Sequence, residues 1–426
     1  MKYQECIDNL NHSEMEVRLR SLRKLEEAVQ KGELERPESG NYVNNHIHTI
    51  YSFSPYSPAK AVWMAYNAGL KTAGIMDHDS LGGVREFIEA GSIMGIATTI
   101  GVECRADFSK TPLNGRRINN PDQRSIAYMA LHGIPHTMID RVGSYFAPFT
   151  RERNKRNVLM TENINKIMSP FEIRIDFEKD IKPISKHDEG GSITERNILF
   201  GLSLKLVEKF GKGQQLVDFI KNRLELELAS KVEGYLLDKN NPHYEYDLLG
   251  ALKGRMVELF YVAAKAECPD VSEVIRLCCE TGAIPAYAYL GDITDSVTGD
   301  KKSQKFEDGY LKLLFDVIKR LGFKAATYMP SRNSMEQLER IKSLCEQHGL
   351  FQISGEDINS PRQSFICEAM RNPKFYNLYD STWALIGHEK AATKDVNDGM
   401  FSQKAVKLYP SIDERVEVFK KIGLQR

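Results

Sequence analysis

The stretch Asn44-Asn45-His46-Ile47-His48-Thr49 decides how the chain is read. Side chains on a strand alternate faces, so His46 and His48 project from one side and can grip a single ion. A lone His-x-His is more often a pair of ordinary polar residues at a strand end. Recurrence further along shifts that balance. Residues 42–48 read as a buried strand, and short apolar runs follow at 72–76, 97–102 and 126–131. These runs deliver Asp77-His78-Asp79, Glu103 and His132 at their ends. The steps from His48 to Asp77, on to Glu103 and on to His132 are 29, 26 and 29 residues, roughly a strand plus its crossover helix. The spacing predicts four successive strands presenting metal-competent groups at one end, where the loops of α/β sheets and barrels build sites.

Around this framework the chain divides into segments. Residues 1–30 read as a helical packing arm, with Leu19, Leu22 and Leu25 at near-helical spacing and Gly32 and Pro37 ending it. Ser57-Pro58 reads as an N-cap followed by a first-position proline, starting a helix over residues 59–68 whose Trp63 and Tyr66 form a core stripe. Residues 140–280 are mainly helical and charged, with helices expected over 151–166, 194–210, 214–228 and 246–266. Strand patterning resumes at 283–290, 324–328 and 351–354. The expected organisation is an N-terminal arm (1–40), a first barrel part (41–139), a helical insertion over the mouth (140–280) and a second barrel part with the C-terminal segment (281–426).

Bulk properties narrow the function. The 58 basic and 58 acidic residues balance, so the chain carries no electrostatic footprint for duplex nucleic acid or an anionic membrane. Seven cysteines, with no Cys-x-x-Cys pair, point to reduced thiols and a cytoplasmic protein. Cys278 and Cys279 read as buried thiols. No stretch approaches a membrane span, and nothing in the chain sets an oligomeric state.

The motifs His46-Ile47-His48-Thr49, Asp77-His78-Asp79, Gly101-Val102-Glu103 and His132 resemble those of the PHP (polymerase and histidinol phosphatase) superfamily. The resemblance covers residues 41–136 and returns after Gly282. It implies an α/β fold, a distorted seven-stranded barrel with metal ions at the C-terminal strand ends, and phosphoesterase activity. It implies one complete ion shell from His46, His48, Glu103 and Asp357, and part of a second from Glu103 and His132, for zinc, manganese or iron. Three places depart from the family pattern: Phe53 stands for an aspartate, Tyr289 for a histidine and Asn359 for the last histidine. His78 and Asn359 are the remaining ligand candidates. Asp77, His78 and Tyr289 are candidates for acid, base or hydrogen-bond donor. Arg196 matches a family segment that faces the substrate phosphate. Arg105 and Arg362, close in sequence to Glu103 and Asp357, are further phosphate candidates, as is Arg332, while His136 lines a loop.

The expected function is hydrolysis of a small phosphorylated metabolite by a metal-activated water. A PHP-type nuclease is the first alternative, weakened by the absence of a basic stripe or an aromatic stacking platform. A metal-binding scaffold without turnover is the second, supported by the three departures.

Overall fold

A computed structural model describes residues 3–292 and 305–425. Seven strands follow one another around a single sheet in chain order: β1 (Tyr42–Ile47), β2 (Leu70–His78), β3 (Ala97–Asp107), β4 (Ile126–His132), β5 (Ile284–Ala288), β6 (Ala325–Tyr328) and β7 (Phe351–Ser354). The sheet nearly closes on itself. His48 N donates to Ile358 O at 2.9 Å and Ile358 N donates to His46 O at 3.1 Å, joining the chain after β7 to the end of β1. Side chains knit the same seam. The Asn44 amide accepts from Glu356 N and donates to Glu356 O, and Asn45 donates to Ser354 O. The α/β barrel is therefore the seven-stranded one that the motifs imply.

One strand corrects the expectation of a common end. β4 runs antiparallel to both β3 and β5, with Gly101 opposite His132 and Glu103 opposite Ala130. The other pairings are parallel. A step of 29 residues fixes the length of a connection and leaves strand direction open. Paired residues share a face of a sheet, so His132 faces inward with Glu103 but two residues deeper in the barrel.

The inward face is apolar below the mouth, where Met76, Ala130, Ile284, Ala286, Ala325, Phe351 and Ile353 pack together. Helix Tyr376–Lys394 packs beneath them, and its Glu389 accepts from Thr99 Oγ1 and Ile100 N near the start of β3. Outside the barrel, helix Pro58–Asn67 starts as expected, with Ser57 accepting from Lys60 N. Trp63 stacks on Tyr66. The N-terminal helix is broken at residues 9–14 and resumes as Met15–Gln30; the expectation for Met1 and Lys2 lies outside the described residues. Leu19, Leu22 and Leu25 join the barrel's outer core, and the buried Arg18–Glu86 ion pair ties this helix to Val84–Met94.

Residues 160–260 supply a second apolar core, built from helices Ile139–Met168, Glu195–Phe210, Gln214–Asn222, Ser230–Leu237 and Tyr244–Phe260. The start of the long helix (Ile139, Val142, Phe146) and Val271–Cys278 pack instead on the barrel's core. Cys278 is buried as expected but Cys279 is exposed, because consecutive helical residues point about 100° apart. Among the described residues no helix is long and apolar enough to cross a membrane.

Candidate metal centre at the barrel mouth

The inward parity of β1 to β3 brings four candidates together. His46 Nε2 and His48 Nε2 lie 3.2 Å apart, and with a Glu103 carboxylate oxygen they place ligand atoms all within 4.8 Å of one another. Two nitrogens bound tetrahedrally at about 2.0–2.1 Å sit roughly 3.3 Å apart, so the two imidazoles have the spacing of a shared ion. Asp357 Oδ1 is 3.1 Å from His48 Nε2, and His78 Nδ1 is 3.0 Å from Glu103 Oε2. Gly355 permits this closeness, since a Cβ there would meet His46 Cβ at 2.7 Å.

Hydrogen bonds fix how His48 is presented. Ser52 Oγ donates its one hydrogen to Asp77 Oδ1 at 2.6 Å, so toward His48 Nδ1, 3.2 Å away, it can only accept. His48 therefore carries a proton on Nδ1 and directs Nε2 toward His46 and Asp357, the orientation a metal ligand needs once a cation takes the place of the Nε2 proton. Asp77 is fully engaged in this support. It also accepts from Thr49 N and Thr49 Oγ1, at 2.7 and 2.6 Å. The structure thus gives Asp77 an orienting place behind His48, buried and with both carboxylate oxygens hydrogen-bonded, in place of the candidate acid-base role expected for it.

Burial pushes the His46 and His78 imidazoles down and the Glu103 carboxyl up. Burial also opposes charge on His48 and Asp357. Their mutual hydrogen bond and attraction prevail, raising His48 and holding Asp357 well below the usual carboxylate range. A histidine and a carboxylate held together by a shared proton can exchange that proton for a cation.

The other candidates are placed differently. His132 is buried one layer below, its Nε2 without a partner, and burial pushes it down to about 3. Tyr289 does not join the cluster. The inward positions of β5 are Ile284, Ala286 and Ala288, and Tyr289 donates to Asp308 Oδ1 at 2.6 Å. The family histidine place is thus one residue out of phase with the inward face. Phe53, at φ 147°, packs against Phe200 and Tyr246 of the helical segment, an aromatic anchor at the position where the sequence resemblance leads to an aspartate. Asn359 Nδ2 donates to Asp357 Oδ1 at 2.6 Å, which orients that carboxylate.

The arginines separate in the same way. Arg105 is buried against Glu267 at 2.9 Å and Glu195 at 3.4 Å. Arg153 pairs with Asp79, and Arg156 with Glu195 and Glu267. Three buried arginines and three carboxylates therefore lock helix Ile139–Met168 onto the strand ends, and Arg105 is consumed there. Arg362 makes paired 2.7 Å bonds to Asp247 and lies over the Tyr235 ring, also a structural tie. Arg332 donates to Leu290 O, and His136 pairs with Glu389 away from the cluster. Arg196, in the first turn of Glu195–Phe210, is near enough to Asp357 to help hold its carboxyl down. Sequence reading missed Ser52, Thr49 and Arg153 as supports. The second aspartate of Asp77-His78-Asp79 was a usable signal for a buried cationic partner, but nothing local marks Arg153.

No family model matches the chain, and no curated protein matches it. Among solved structures it is similar to a protein inferred to be a metal-dependent phosphoesterase from Bifidobacterium adolescentis, at 18% identity and TM-score 0.49, over 79% of this chain and 96% of that one. It is also similar to an amidohydrolase from Chromobacterium violaceum with bound sulfate and no metal, at 15% identity and TM-score 0.48, over 77% and 90% of the two chains. The reading of the site rests on its own residues.

Proposed function

We propose that this chain is a metal-dependent phosphoesterase acting on a small phosphorylated metabolite. The observation that carries the reading is the 3.2 Å convergence of His46 Nε2 and His48 Nε2, with Glu103 and Asp357 alongside, at the mouth of the barrel. His46, His48, Glu103 and Asp357 would hold one divalent ion of zinc, manganese or iron; His132, one layer down, is the residue left for a second. Bound there, such an ion supplies an acidified water and a Lewis-acid contact for a phosphoryl oxygen.

The chain's own residues do the rest. Ser52 and Asp77 hold the tautomer and plane of His48, and Asn359 holds Asp357. His78, its Nδ1 3.0 Å from Glu103 Oε2 and its side chain about a quarter exposed, would be the proton acceptor beside the cluster. Arg196 offers a guanidinium fork to the non-bridging oxygens. The helical segment is tied down beside the cluster at Phe53, Asp79 and Arg362, an arrangement that suits a small substrate better than a nucleic-acid chain.

Elemental analysis of the purified protein beside Asp357→Ala, with a panel of phosphomonoesters assayed in added manganese or zinc, tests this reading. The expected result is about one ion per chain, lost in the variant, together with phosphate release. Ion binding without any turnover leaves the scaffold reading; no ion after reconstitution ends both.

A further inference from the structure

Five arginines are deeply buried among the described residues, and four of them meet carboxylates: Arg18, Arg105, Arg153 and Arg156. Arg415 is the exception. It lies in helix Ile412–Leu424, 6% exposed, and its polar contacts are two long bonds to backbone oxygens, Ser411 O at 3.2 Å and Met400 O at 3.4 Å. The guanidinium lies 5.1 Å from the Phe401 ring centre. It lines a half-open cavity of about 180 Å³ that it shares with Lys319 and Lys324, and no acidic side chain lines that cavity. Of the acids of the same helix, Asp413 and Glu417 face a different cavity, and Glu414 accepts from Ser411 N at the helix start.

Three cations converging without a carboxylate are poorly compensated. Burial, then Lys324 and Arg415, push the Lys319 ammonium down, and burial alone pushes Arg415 down. Lys319 also donates to His348 O at the end of helix Met335–His348, which offsets part of its charge. The cavity holds several times the roughly 30 Å³ share of one water. It lies at the starts of β6 and β7, opposite the mouth, and helix Ile412–Leu424 forms one wall.

We propose that this cavity is a binding site for a phosphate group, carried by inorganic phosphate or by a small phosphomonoester, with Arg415 as the fork and Lys319 and Lys324 as flanking charges. The site is separate from the mouth, and the inference stands whether or not the mouth hydrolyses anything.

Calorimetric titration of inorganic phosphate into the metal-free full-length chain at low ionic strength tests it, with glycerol phosphate in a second arm. Saturable one-site binding is expected, weakened about tenfold in Lys324→Gln, more in Arg415→Gln, and unchanged in His48→Ala. Tighter binding of glycerol phosphate identifies the ester as the source of the group; tighter inorganic phosphate identifies the free ion. Lys319 and Lys324 are not deeply buried, so Lys319→Gln and Lys324→Gln keep the test decisive if Arg415→Gln does not fold. Absence of saturable binding, equal affinity in the lysine variants, or binding abolished by His48→Ala would each overturn the proposal.

Discussion

The two halves of the barrel are built on the same parallel scaffold and carry opposite linings. β1 to β3 turn His46, His48, His78, Glu103 and Arg105 inward. β5 to β7 turn Ile284, Ala286, Ala325, Phe351 and Ile353 inward, and only Asp357, beyond the end of β7, reaches across from that side. The difference teaches that the site is one-sided. The candidate ligands come mostly from the first half, and the second half contributes a wall and a single carboxylate.

The largest effect that would break this picture belongs to Glu103. Glu103→Gln should lose the ion and depress phosphate release by about a hundredfold or more, measured by metal content and turnover. Unchanged metal content would move the site elsewhere. Next comes Arg153, whose removal leaves Asp79 buried and unpaired. Arg153→Met should lower stability by about 3–5 kcal/mol, read by urea unfolding, and a smaller loss would mean that the lock between helix and barrel is not closed.

The second half has its own titration. Burial raises Glu307 to about 7, above the usual glutamate value, although Tyr287 and Leu290 N donate to it. A raised carboxyl keeps its proton in the folded chain, so its contribution is present below pH ~4.5 and is lost as pH rises through ~7. The span is on the order of 3 kcal/mol at most. Glu307→Gln should flatten that part of a stability–pH curve; an unaltered slope would remove Glu307 as its source.

Smaller effects sharpen the contrast. Ser52→Ala frees the Nδ1 side of His48 and should weaken metal affinity by about 10–100-fold while leaving the fold intact, as a chelator competition would show. Tyr289→Phe should leave metal content unchanged and cost about 1 kcal/mol through the lost bond to Asp308. Loss of metal in that variant would return Tyr289 to the ligand set.

How much was legible follows the same division. In the first half the candidate ligands sit at strand positions whose alternation and spacing are local properties, so the convergence of His46, His48, His78 and Glu103 could be read from the residues. The direction of β4 could not, because a connection's length does not say which way the next strand runs. In the second half a one-residue difference in phase exchanged Ala288 for Tyr289, and a pattern match does not register phase. The fates of Arg105 and Arg362 were hidden for another reason. Their partners, Glu267 and Asp247, are more than a hundred residues away in sequence, and tertiary pairing of charges leaves no local trace.

The seam of the barrel has a last consequence. The bonds that join β7 to β1 run through His46, His48 and Ile358, and the proposed ligands His46, His48 and Asp357 stand on its two sides. Filling the site would therefore clasp the first and last strands together like a staple. The amide protons of His48 and Ile358 would then become the slowest to exchange with deuterium in the metal-loaded chain, and among the most quickened when the ion is stripped. The barrel's closing seam and its proposed metal centre are one place, so occupancy of the centre would also measure how tightly the ring is shut.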